Sequence, residues 1–120
     1  MSNQPPCDLR NRTKAYALQV IRLYQKLPKS GEAQVIGRQV LRSETSVGAQ
    51  YREACRAKSQ ADFISKMEGS LQELDETAYW LELLAESKIM PAESLAALQK
   101  ETDELTAIFV ASVKTAKRNR

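Results

Sequence analysis

The chain contains no histidine. That excludes a Ser-His-Asp triad, a Cys-His dyad, HExxH zinc chemistry and a helical di-iron site built on Glu-x-x-His. Glycine and proline are scarce, four of each in 120 residues, so the turn-rich composition of a sandwich or barrel is missing. Aromatic residues make up only 6%. No apolar run approaches the roughly 18 residues of a membrane span. The polar opening Met1-Ser-Asn-Gln-Pro-Pro6 has no apolar core of a secretion signal. Cys7 and Cys55 lie far apart with no CxxC spacing, which predicts neither a disulfide framework nor a metal site. Cys55 is expected to act as a small buried hydrophobe, in a protein of the reducing cytoplasm.

What is present is helical. Apolar residues make up 42% and charged residues 28% of a 13.5 kDa chain, enough for one hydrophobic core in one domain over residues 1–120. The first helix is expected from Asp8, as N-cap, to Leu27, with Leu9, Tyr16, Val20, Tyr24 and Leu27 on one face. Pro28-Lys-Ser-Gly31 reads as a connector. The second spans Glu32 to Ala57 on a narrow stripe of Ile36, Val40, Ser43, Val47, Tyr51 and Ala54. Gly37 and Gly48 sit within it, each costing about 1 kcal/mol against Ala, as befits close approach of another backbone. The third starts at Ser59, where Ser59-Gln-Ala-Asp62 resembles a capping box, and runs to about Ser87 through Phe63, Met67, Ser70, Leu74, Thr77 or Ala78, Leu81 and Leu84. The fourth starts near Pro91 and repeats Leu95, Leu98, Thr102, Leu105, Phe109 and Ser112/Val113 in heptad rhythm. Short connectors predict an all-α, antiparallel up-down-up-down four-helix bundle. Residues 1–7 and 115–120 are expected to be flexible.

The net charge of +3 hides an uneven distribution. Residues 1–30 carry six bases against Asp8, residues 58–90 carry three bases against seven acids, and Lys114, Lys117, Arg118 and Arg120 follow the last acid, Glu104. In an antiparallel bundle the first helix starts where the fourth ends. Arg10, Arg12, Lys14, Lys114, Lys117 and Arg118 are therefore the candidate basic rim, suited to RNA or DNA phosphates. The acidic set Glu73, Asp75 and Glu76 reads as a solvated face, because only Glu73 and Glu76 share a side of the helix. No metal or cofactor is expected.

The segments Val40–Ala54 (VLRSETSVGAQYREA), Ser59–Ile64 (SQADFI) and Leu71–Leu83 (LQELDETAYWLEL) resemble the bacterial family of four-helix proteins encoded within 23S rRNA intervening sequences, the S23 ribosomal protein family. The shared pattern falls on Arg42, Ser43, Ser46, Val47, Glu53, Ala54, Ser59, Asp62, Phe63, Glu73, Leu74, Trp80 and Leu81. Gly48-Ala-Gln-Tyr51 departs from it, where relatives often carry Asn-Ile. The resemblance implies a bundle that assembles as a ring-shaped homopentamer, with no catalytic activity. It extends distantly to the accessory protein of diversity-generating retroelements, which implies a reverse transcriptase or another protein as partner.

The candidate interface network, between subunits or between helices, is Arg42, Ser46, Gly48, Glu53 and Trp80. Arg42 and Glu53 lie about three helical turns apart and flank the small-residue stripe. Trp80 reads as core or interface packing rather than a base-stacking platform. The expected function is a non-catalytic, cytoplasmic, homo-oligomeric scaffold that touches nucleic acid through its basic end. The alternative is a protein-interaction subunit without nucleic-acid affinity. No membrane partner is expected.

Overall fold

The computed structural model describes residues 8–119. Four helices follow one another, α1 (Arg10–Lys26), α2 (Gly31–Cys55), α3 (Gln60–Glu86) and α4 (Ala92–Arg118). They form an all-α rod of 48 × 19 × 19 Å. The short connectors force each helix back against its predecessor. Packing is densest between α2 and α3, which make the spine of the bundle. It is sparsest between α1 and α4, which close it.

Local chemistry sets the helix ends. Ser30 caps α2, its hydroxyl accepting from Ala33 N at 3.4 Å, and Ser59 caps α3, accepting from Asp62 N at 3.0 Å. Asp62 answers back to Lys58 N at 3.4 Å, one residue earlier than an ideal capping box. Asp8 does not cap α1. Leu9 occupies the N-cap without a side-chain bond, and Thr13 Oγ1 donates to Leu9 O instead. Pro91 occupies the N-cap position of α4, just outside the helix, without a side-chain bond. Helix α4 continues to Arg118, past the point where its apolar rhythm was expected to fray. Residues 1–7 lie outside the described part of the chain.

The core follows the expected stripes, from Tyr16 and Val20 through Val40, Val47 and Leu74 to Leu105 and Phe109. On α1 the buried set also takes in Thr13 and Leu23, while Tyr24 is half-buried and Ile21 is exposed. Gly37 and Gly48 let α1 approach α2. A methyl group on Gly37 would fall 2.5 Å from Leu27 Cδ1, and one on Gly48 would fall 3.2 Å from Thr13 Oγ1. Close helix packing thus accounts for both glycines. Cys55, half-buried at the end of α2, is disulfide-bonded, contrary to the expectation of a reduced core thiol. Cys7 lies outside the described residues.

Candidate functional site

The charges separate by sides of the rod. Residues 8–57, which build α1 and α2, carry ten bases and four acids, and residues 58–119 carry seven bases and eleven acids. Helix α1 contains no acid at all. Of the four acids in the first half, Glu44 is buried and Glu53 is held by Lys66 of α3 at 3.0 Å. The α1–α2 side is therefore basic and the α3–α4 side acidic.

The expected basic rim is divided by this arrangement. Arg10, Arg12 and Lys14 stand on the first turns of α1, where Arg12 is level with Glu101 and Glu104 in the middle of α4, whereas Lys114, Lys117 and Arg118 lie further along α4 towards its end. Arg12 spans to α4, bonded to Glu101 through Nε at 2.7 Å and to Glu104 at 2.8 Å. The hydrogen bonds it donates to Glu101 hold the guanidinium pKa above its ordinary value. Lys117 pairs with Glu68 of α3 at 3.0 Å. Arg10, Lys14, Lys114 and Arg118 have no ion-pair partner among the described residues. Lys14 faces Arg52 across a groove of about 290 Å³ between α1 and α2, floored by Ala17, Gly48 and Ala49 and edged by the hydroxyl residues Thr13 and Thr45. Arg52 was not among the expected contacts. Its place in the last turn of a basic-sided α2 was the available signal.

The Arg42–Glu53 network resolves into two separate bridges between helices. Arg42 reaches Glu73 at 3.3 Å and Glu76 at 2.5 Å, both on α3. Glu76 is the larger cause of the raised Arg42 pKa. Glu53 joins Lys66. Ser46 donates to Arg42 O within α2, at 2.7 Å. Trp80 is half-buried and lies edge-on to Tyr79, with ring centroids 5.1 Å apart. Tyr79 is 54% exposed, and the buried Trp80 Nε1 has no hydrogen-bond partner.

A second polar feature lies inside the bundle. Tyr16, Ser43, Glu44, Thr77 and Thr102 are all fully buried and come from all four helices. The Tyr16 hydroxyl bonds Thr102 Oγ1 at 2.5 Å, and Ser43 Oγ bonds Thr77 Oγ1 at 2.8 Å. Glu44 has no partner for either carboxylate oxygen. Burial pushes its pKa up to about 9, so it is neutral at neutral pH. Tyr16 is raised by burial first and then by the proximity of Glu44. Among the described residues, no group of three or more Cys, Asp or Glu side chains could hold a metal ion.

Residues 7–111 match the family model of the 23S rRNA-intervening sequence protein. The chain belongs to that family. A solved structure of a protein of unknown function from the S23 ribosomal protein family, from Bacteroides thetaiotaomicron VPI-5482, is 34% identical. The similarity covers 88% of this chain and 95% of that one, with a TM-score of 0.83. No curated protein matches the chain. Within the 23S rRNA-intervening sequence family, therefore, the four-helix fold is shared across nearly the whole length. Among the described residues no helix is long and apolar enough to cross a membrane.

Proposed function

We propose that this family member is a non-catalytic scaffold. Five copies form a closed ring that carries nucleic acid on its basic sides. One observation carries the reading: the α1–α2 side is basic, α1 has no acid, and Lys14 and Arg52 flank a groove without counter-ions. A phosphate backbone supplies the missing negative charge. Repetition of the basic side around a ring multiplies the field and the phosphate contacts. For self-association, the exposed ring of Tyr79 on α3, set edge-on to Trp80, is the kind of aromatic surface that interfaces favour.

The assembly is tested by light scattering of the full chain. The expected particle has five times the 13.5 kDa monomer mass. A monomer at micromolar concentration rejects the ring. Nucleic-acid contact is tested by filter binding of generic RNA and duplex DNA across a salt series. Binding should weaken steeply with salt, and Lys14→Glu with Arg52→Glu should weaken it alike for all sequences. An absence of binding at about 50 mM salt rejects the contact and leaves a protein-interaction subunit.

A further inference from the structure

Glu44 is the least conventional residue in the molecule. It is 0% exposed, and neither of its carboxylate oxygens has a hydrogen-bond partner. Native structures rarely leave such a group unsatisfied. The side chains that share its layer are neutral: Tyr16 on α1, Ser43 beside it on α2, Thr77 on α3 and Thr102 on α4. The nearby cations are already engaged. Arg42 is held by Glu73 and Glu76 outside the α2–α3 contact, and Arg12 by Glu101 and Glu104 outside the α1–α4 contact. Glu101 also acts electrostatically on Tyr16, and it too is negative. No charge of opposite sign therefore faces the Glu44 carboxyl from any of the four helices.

An ionised carboxylate in such surroundings costs far more than a neutral acid, so the closed bundle keeps the proton. Water can reach the group only if helices separate. The α2–α3 spine is the densest contact and the α1–α4 seam the sparsest. The seam is crossed by the Tyr16–Thr102 bond and the Arg12 bridges. A groove of about 290 Å³, lined in part by Leu23, Met90 and Leu98, already parts it toward the other end of the rod.

We propose that the Glu44 layer is a proton-linked latch: the acid holds its proton while the bundle is closed and releases it when the α1–α4 seam opens about the α2–α3 spine. The sign follows from linkage. The closed form binds one more proton than the open form wherever the pH lies between the ordinary carboxyl value of 4.5 and about 9. The ratio of open to closed molecules therefore rises tenfold per pH unit across that window, neutral pH included. Below 4.5 both forms are protonated and above about 9 both are ionised, so the dependence flattens at each end. Opening uncovers the apolar stripe Tyr16, Val20 and Leu23 of α1.

Native-state hydrogen exchange of the full chain tests this between about pH 6 and 8. After correction for intrinsic rates, core-facing amides of α1 and α4 should gain a further tenfold per pH unit. Amides of α2 and α3 should stay more protected, exchanging through rarer openings. In Glu44→Gln, and equally in Glu44→Leu, the extra pH dependence of α1 and α4 should vanish. The latch is overturned if the unsubstituted protein shows no extra pH dependence, or if that dependence survives in both variants. It is likewise overturned if all four helices exchange together, which would mean global unfolding rather than opening of the seam. The pH series on the unsubstituted chain decides the matter even if a variant fails to fold.

Discussion

The same substitution should have opposite signs at two helical glycines. At Gly69 a methyl group would meet only the side-chain amide of Gln50, which can swing away. Gly69→Ala should therefore gain about 1 kcal/mol from helix propensity and raise the denaturation midpoint. At Gly37 the methyl would land on Leu27 Cδ1 and the Tyr24 ring, inside the α1–α2 contact. Gly37→Ala should destabilise by about 1–2 kcal/mol despite its better propensity. Urea denaturation of the two variants side by side checks the contrast. The two interior glycines of α2 were legible in the sequence, because each interrupts an otherwise good helix. Glu44 was not, because periodicity treats a carboxylate as a surface residue. Its signal was its company: Gly37, Val40, Val47 and Tyr51, at three, four and seven residues' distance, all lie on the buried face of α2.

Helix ends carry their own predictions. Ser59 caps α3 with a 3.0 Å bond, so Ser59→Ala should cost about 1 kcal/mol. Ser30 makes a longer bond of 3.4 Å, and Ser30→Ala should cost less. Thermal denaturation of both variants gives the order. Lys88, just past the end of α3, has a φ of 62°, in the left-handed region that favours glycine. Lys88→Gly should stabilise the protein by about 0.5–1 kcal/mol, read as a higher melting temperature. The Ser59 cap was legible because Ser and Asp stand at the right spacing before an apolar run. The α1 start was misread at Asp8, since a good capping residue one position too early cannot reach the first free amides. The turn at Lys88 left no trace, because lysine does not advertise a left-handed backbone.

For the whole molecule, stability should depend little on salt. The inter-helix ion pairs lie at the surface; even Arg12, the most connected, has a side chain 35% exposed. Such pairs are each worth under about 1 kcal/mol. Melting at about 50 and 500 mM salt should therefore differ by only a few degrees, while any binding of phosphate polymers changes by orders of magnitude. The fold class and nearly all of the core were legible, because four long stripes joined by short connectors leave one simple packing. The candidate site was legible only as composition. The first half of the chain is visibly basic, but which cations stay unpaired depends on where α3 and α4 place Glu68, Glu101 and Glu104.

The order of the helices bears on how fast this shape is found. Every major contact joins helices adjacent in the chain, and only the sparse α1–α4 seam spans the ends. Chain closure therefore asks little entropy before packing returns it, which places folding in the microsecond-to-millisecond range. The α2–α3 hairpin is the natural nucleus, and α1 and α4 add to it as flanking strokes of the same motion. Mutations in Val47 or Leu74 should slow refolding in a rapid-mixing experiment, whereas mutations in Val20 or Leu98 should mainly speed unfolding.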